Sequence, residues 1–252
     1  MTPEFQPITL DEMDAIRLMN RIDTKFVTNE DVLMNILREA AEYGYRAFEI
    51  KGRQLQPYTS LYYDTDGCAM YLAHHNGRKT RQKVRVRTYL TTGQTFLEIK
   101  HKSNTGRTKK DRTPIDIELF GHFGDDENAS RFLSEHSWFE ASDLKPEVTT
   151  EFMRLTLVNP EKTERLTIDR QLHFNNYRSG ISADLGDAVI IELKQDGRKY
   201  SKFRSILLDN RVHPYRISKY CIGTALTQPG IKRGRFKEKL MYLEKMTDEK
   251  LI

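Results

Sequence analysis

The sequence predicts an α+β protein built on a closed antiparallel β-barrel of about eight strands, forming a tunnel with helices packed around it. The first observation is a charge pattern. Lys83-Val84-Arg85-Val86-Arg87, Phe96-Leu97-Glu98-Ile99-Lys100 and Ile190-Ile191-Glu192-Leu193-Lys194 alternate ionic and mostly apolar side chains with a period of two. Arg165-Leu166-Thr167-Ile168-Asp169 repeats it. Successive strand residues point to opposite faces, so each segment gathers its charges on one side. The second observation is that helical periods fall only at the ends and in the connections. The third is the number of strand segments, which suffices for closure and so for removing edge strands. On strand pattern alone, an open α+β sheet with its polar face in solvent fits equally well.

Thr9 and Glu12 form a capping box that opens a helix. Residues 21–27 read as a strand. Asn29 caps a second helix through Leu33, Ile36, Leu37 and Ala40, ending near Gly44. The period then changes to two, which predicts strands at 45–50, 58–63, 80–90, 94–101 and 113–119. A short helix at 68–75 ends at Gly77, and another covers 125–135. Strands resume at 148–158, 164–175 and 188–195. Helices follow at 201–208 and 218–226. Residues 1–228 form a single tunnel-barrel domain including the N-terminal helices, and 229–252 form a basic C-terminal helix or tail. A membrane, a protein partner and the barrel itself are the three docking sites open to that tail.

The 252 residues suit one large barrel domain or two small ones. The net charge of +5 favours anionic partners. No nucleic-acid motif or stacking platform accompanies it, so nucleic acid is not expected. Cys68 and Cys221 are far apart in sequence and read as free thiols in a reducing compartment. No secretory signal and no membrane-length apolar run occur, so a cytoplasmic location without an integral membrane segment is expected.

Lys83, Arg85 and Arg87 share one strand face, where like charges repel unless they meet water or share an anion. The next strand follows through Thr91-Thr92-Gly93, so Glu98 and Lys100 lie beside them. Arginine forks grip phosphate oxygens bidentately, and lysine adds a point charge. Glu192 and Lys194 repeat the Glu-x-Lys pattern downstream. Mg²⁺ and Mn²⁺ take one or two carboxylates completed by water and phosphate oxygens. A carboxylate among phosphate-binding cations therefore predicts Mn²⁺ or Mg²⁺, held by Glu192 and Glu98. Lys109, Lys110 and Arg112 read as a loop cluster that either guards a channel mouth or is simply solvated.

In order and spacing, Arg21-Ile-Asp-Thr-Lys25-Phe, Leu61-Tyr-Tyr-Asp64-Thr, Lys83-Val-Arg85-Val-Arg87-Thr-Tyr, Leu97-Glu98-Ile-Lys100, Leu166-Thr-Ile-Asp169-Arg, Ile191-Glu192-Leu-Lys194 and Ser218-Lys219-Tyr220 resemble the vacuolar transporter chaperone (VTC) catalytic domain. That family of polyphosphate polymerases belongs to the triphosphate tunnel metalloenzymes. The resemblance implies a metal-dependent ATP:polyphosphate phosphotransferase acting inside a basic tunnel. Arg85, Arg87, Lys100 and Lys194 would be its catalytic cations. Lys25, Lys83, Arg112, Arg154, Arg165 and Lys219 would bind substrate. A triphosphatase of the same fold and a non-catalytic polyphosphate or inositol-phosphate binding module are the alternatives. The Glu-x-Glu-x-Lys opening of the sister cyclases and thiamine triphosphatases is replaced here by Arg21-Ile22-Asp23-Thr24-Lys25, which favours the polymerase-like branch.

Overall fold

The computed structural model describes residues 3–14, 16, 21–197, 200–247 and 249–251. In chain order the strands are β1 (Gln6–Ile8), β2 (Arg21–Asn29), β3 (Arg46–Phe48), β4 (Leu55–Asp64), β5 (Arg81–Tyr89), β6 (Thr95–Lys102), β7 (Thr108–Ile115), β8 (Lys145–Val158), β9 (Glu164–Asn176), β10 (Ser182–Asp184) and β11 (Ala188–Asp196). The helices are α1 (Leu10–Asp14), α2 (Glu30–Tyr43), α3 (Ala69–His75), α4 (Glu127–His136), α5 (Lys202–Asp209), α6 (Lys219–Thr227) and α7 (Lys237–Thr247). Local signals placed the caps. Thr9 and Glu12 each receive the other's backbone N–H, at 3.1 and 3.3 Å. Asn29 accepts from Val32 N at 3.1 Å, and Gly44 ends α2 at φ 95°, which a side chain would resist.

The sheet runs β2-β11-β9-β8-β4-β5-β6-β7, antiparallel throughout this path. It curls into a half-barrel, which corrects the expectation of closure. Among the described residues β2 and β7 do not pair. The reason lies at the two edges. The outer edge of β2 is taken by the segment before α6: Phe26 bridges Pro214, and Tyr215 N donates to Lys25 O at 2.7 Å. The outer edge of β7 carries Lys109, Lys110, Asp111, Arg112 and Pro114. Charge and a missing N–H are standard protections for an unpaired edge.

Strand boundaries also move. Residues 103–107 form a tight turn, with Ser103 N donating to Arg107 O at 2.9 Å and Gly106 at φ 85°. The chain therefore re-enters the sheet at once, and β7 begins at Thr108 instead of 113. Residues 117–119 form a 3₁₀ turn capped by Asp116. The strand expected at 45–50 is only Arg46–Phe48, and it pairs with β1, which the sequence did not announce.

One sheet face buries Phe26, Leu166, Ile168, Ile191 and Leu193 against Leu33, Ile36 and Leu37 of α2 and Phe203 and Ile206 of α5. Farther along, Val84, Val86, Leu97 and Ile99 pack with Leu61, Phe123 and Leu133. Each fully buried aliphatic contributes about 1.5–3 kcal/mol relative to exposure. The same cluster reaches Tyr220 and Ile222 of α6 and Leu240 and Leu243 of α7. The basic tail thus docks on its own half-barrel. Lys239 Nζ donates to Arg216 O at 2.7 Å, and Asn29 Nδ2 to Met246 O at 3.3 Å.

Candidate active site

Strand register collects the charges. Lys83 stands opposite Lys100, which stands opposite Lys110. One step on, Tyr62, Arg85, Glu98 and Arg112 form a row across four strands. The next row is Ser60, Arg87 and Phe96. In the other half of the sheet Arg154 pairs with Asp169, Lys25 with Glu192, and Lys194 with Arg165. All the strand residues expected at the site occupy this one face. Lys219 joins from the first turn of α6, where its Nζ meets Asp169 Oδ2 at 2.5 Å. Ser218 caps that helix by accepting from Cys221 N, and its Oγ also receives Lys83 Nζ at 2.7 Å.

The carboxylates hold different positions. Glu98 is fully buried; Oε2 accepts from Arg85 Nε at 2.7 Å and Nη2 at 2.5 Å, and Oε1 from Lys110 Nζ at 2.9 Å. Arg85 Nη1 donates to Tyr62 Oη at 2.9 Å. Asp169 receives Arg154 Nε and Nη2 at 2.6 and 2.8 Å, besides Lys219. Burial opposes the charge of both carboxylates. Arg85, Arg87 and Lys110 overcome it at Glu98, and Arg154 and Lys219 at Asp169, so both are held well below the usual carboxylate range. Glu192 is looser, with Lys194 Nζ at 3.6 Å and Lys25 Nζ at 4.0 Å. These lysines also keep it ionised against burial.

The cations outweigh these anions. Arg87 is buried, donates through Nε to Ser60 Oγ at 2.8 Å, and feels the repulsion of Arg85 and Arg154. The charge of Arg85, then burial and the charge of Arg87, push the Lys100 ammonium well below its ordinary value. Burial depresses Lys83 and Lys194 likewise, and brings Lys219 down to about 8 despite Asp169. Burial resists ionisation of Tyr62, but Arg85, Arg87 and Lys83 bring its phenol down to about 8. Such a face gains from any polyanion that restores the balance. Arg165 and Arg112 sit farther out, Arg165 half-buried and Arg112 exposed over the Phe96 ring at 4.6 Å.

The sequence reading put Lys110 in a loop cluster and missed other participants. Lys110 is a strand residue aimed at Glu98, whereas Lys109 faces away and pairs with Asp111 at 3.0 Å. Tyr58 and Phe152 form an aromatic floor: Arg154 lies 4.8 Å from the Tyr58 centroid, and Lys219 4.8 Å from Phe152. The alternation Tyr58-x-Ser60-x-Tyr62 marked a shared face, but tyrosine is an ordinary strand residue and gave no site signal.

A divalent metal fits this face in one place. Glu98 has both oxygens engaged, so the structure makes it a brace for Arg85 where a metal ligand was expected. Among the described residues Glu192 has two long ion pairs and keeps oxygen lone pairs for a metal. Among the described residues no group of three ligating side chains occurs. One carboxylate completed by phosphate oxygens and water is a normal shell for Mg²⁺ or Mn²⁺.

Among solved structures, the fold is similar to that of a putative adenylyl cyclase from Hippeastrum described as having a dominant triphosphatase activity. The TM-score is 0.56 at 14% identity, covering 81% of this chain and 95% of that one. A putative adenylate cyclase from Bacillus halodurans gives 0.50 at 14% identity, covering 79% and 96%. At such identities the likeness concerns the fold alone. No curated protein matches the chain. No helix among the described residues is long and apolar enough to cross a membrane. The VTC domain matches residues 20–228, from the strand of Lys25 to the end of the helix of Lys219. Spanning every strand that furnishes the cationic face, that match means that the chain belongs to the VTC domain family.

Proposed function

We propose that the protein transfers the γ-phosphoryl group of ATP to the end of an inorganic polyphosphate chain, releasing ADP. The observation that supports this reading is the cation surplus: Lys25, Lys83, Arg85, Arg87, Lys100, Lys110, Arg154, Lys194 and Lys219 share one face with Glu98, Asp169 and Glu192, and Arg85 and Lys110 already engage Glu98 as Arg154 and Lys219 engage Asp169. A chain of phosphates, charged at every unit, matches such a face better than a compact anion. In the transfer, a terminal phosphate oxygen of the acceptor forms the new bond to Pγ. The bond from Pγ to the bridging oxygen of the β-phosphate breaks, and its electron pair leaves with ADP. The acceptor is already anionic, so no general base is needed, and the work is positioning and charge neutralisation. Arg87 and Lys100 carry the charge of the transferred group, with Lys83, Lys194 and Lys219 aligning the flanking phosphates. Arg85, braced by Glu98 and Tyr62, keeps this array in register. A divalent cation on Glu192 would supply further charge neutralisation at phosphoryl oxygens. Lys25, Arg154, Arg165 and Arg112 extend the binding face.

A second reading is a triphosphatase, with water replacing the acceptor; the described activity of the Hippeastrum protein favours it. Incubating the pure chain with γ-labelled ATP and Mn²⁺ separates the two. Labelled long polyphosphate with matching ADP supports transfer, and orthophosphate alone supports hydrolysis. Tight polyphosphate binding with no ADP release under any metal would leave a binding module.

A further inference from the structure

The polar face is not uniform along its length. Near the end of α6 that carries Lys219, and beyond it on the rows of Lys194 and Lys25, carboxylates are interspersed: Glu192 beside Lys194, Asp169 beside Arg154, Asp23 opposite Lys194. The opposite end of β5 and β6 differs. Arg81 and Lys102 are cross-strand partners one step outside the Lys83–Lys100 row, and Lys102 faces Thr108 on its other side. Arg216 is exposed, two residues before the Ser218 that receives Lys83 Nζ; its neighbours Tyr215 and Ile217 bond Lys25, through Tyr215 N to Lys25 O at 2.7 Å and Lys25 Nζ to Ile217 O at 3.2 Å, so it stands between the Lys83 row and Lys25. The charges that bear on Lys102 are Arg81, Arg216 and Lys83, all cationic. Asp64 sits at this end too, but it is fully buried: Thr65 N, Met70 N, Tyr71 N and the Tyr220 hydroxyl use it up. Glu238 acts on Lys239, whose Nζ is tied to Arg216 O.

Arg81 Nη1 donates to Arg78 O at 2.6 Å, but among the described residues no carboxylate pairs with these three cations, and like charges held together cost stability. Their placement is continuous with the buried array, since Lys83 and Lys100 lie directly behind Arg81 and Lys102. None of the three is needed to grip a triphosphate on the Arg85–Arg87 rows. We propose that Arg81, Lys102 and Arg216 form an outer anion subsite that holds the part of a phosphate chain extending past the buried array, and so make the site selective for long polyphosphate over short. This rests on the channel reading above, and under that reading the rim marks the end from which the growing chain leaves.

The test uses the full chain and two probes, inorganic tripolyphosphate and a long inorganic polyphosphate of defined length, titrated without ATP. The variant is Arg81→Gln/Lys102→Gln/Arg216→Gln, and its melting curve checks that it folds. Loss of three exposed ion pairs should cut the long-chain preference on the order of tenfold. The measured quantity is the ratio of the two affinities in the same protein. A ratio that collapses in the variant supports the rim; an unchanged ratio, or equal loss for both probes, overturns it. Wild-type protein that binds neither probe overturns the rim together with the channel. A separate ATP incubation that yields only orthophosphate removes the polymerase reading and leaves the binding ratio to decide the rim. If the variant does not fold, Arg216→Gln alone, on an exposed side chain, is measured for the same ratio: a reduced long-chain preference supports the rim, and an unchanged one overturns it.

Discussion

Arg85 and Glu98 face each other across β5 and β6, and one carboxylate oxygen receives two nitrogens of the guanidinium at 2.7 and 2.5 Å. The acid is fully buried and the arginine side chain is 8% exposed. Removing one partner of so buried a pair strands the other charge, at a cost of about 3–5 kcal/mol. Glu98→Gln is therefore expected to lose stability on that scale, because Arg85, Arg87 and Lys100 would then repel with no anion between them. Tripolyphosphate should recover part of the loss by taking that place. Denaturant melts with and without the anion check this; a loss below about 1 kcal/mol would remove Glu98 as the brace.

Arg87 behaves differently from Arg85, although the two are neighbours on one strand face. Arg85 hydrogen-bonds an acid; Arg87 hydrogen-bonds Ser60, is repelled by two arginines, and feels Glu98 without a hydrogen bond to it among the described residues. Arg87→Met is expected to leave stability unchanged or raise it, while turnover falls by at least roughly a hundredfold, the usual loss when a group that neutralises transition-state charge is removed. Arg85→Ala should lose both, since Glu98 loses its two guanidinium bonds and keeps Lys110 and the more distant charge of Arg87. Paired melts and rates for the two variants decide it. Equal melting losses would mean that Arg87 is structural.

Much of this was legible in the sequence because a strand reports its faces through parity. The rows Lys83-Arg85-Arg87, Glu98-Lys100 and Glu192-Lys194 needed only alternation to be placed. Parity fails where the strand bulges. Asp169 and Phe174 are five apart, yet both reach the polar side, because β9 shifts register opposite Glu151 and Met153, with Gln171 at φ 53°. That irregularity hid the pairing of Arg154 with Asp169. Closure was not legible either. Whether β7 meets β2 depends on curl, and on a segment around Pro214 that has no strand pattern of its own but occupies the edge of β2.

Lys219 and Tyr62 both titrate at about 8 in the free protein. As pH rises through this value Lys219 loses its positive charge and Tyr62 gains a negative one. Affinity for a polyanion should therefore fall between about pH 7 and pH 9, with protons taken up on binding. Both groups have folded values below their ordinary ones, so between the folded and unfolded values the unfolded chain holds more protons. Stability of the free protein should thus rise from about pH 8 to about pH 10, overlapping the upper part of the fall in affinity. Titration of tripolyphosphate in buffers of different ionisation enthalpy measures the proton uptake. Lys219→Gln and Tyr62→Phe together should flatten the profile; a profile they leave intact assigns the titration elsewhere.

The carboxylates should respond separately to metal. Glu192→Gln is expected to raise the half-saturating Mn²⁺ or Mg²⁺ concentration by roughly tenfold or more, the range seen when a metal site loses support. Glu98→Gln should change stability but leave the metal titration alone. A metal curve insensitive to Glu192→Gln would exclude that residue as the ligand.

The seating of α6 is the remaining determinant, because Lys219 and Ser218 reach the cationic face only if the helix lies close against β9. Gly223 permits that approach. A Cβ at this position would come within 2.5 Å of Phe174 Cδ1, and both residues are buried. Helix propensity alone would favour alanine over glycine by about 1 kcal/mol. The clash opposes it, and overpacking of a filled core costs about 1–3 kcal/mol. Gly223→Ala should therefore destabilise, and by shifting α6 outward it should weaken the Lys219–Asp169 pair and lower tripolyphosphate affinity. Phe174→Leu in the same chain shortens the obstructing ring and should restore much of both losses. If Gly223→Ala were neutral or stabilising, helix propensity would outweigh packing, and the close approach of α6 to β9 would not be what sets the position of Lys219.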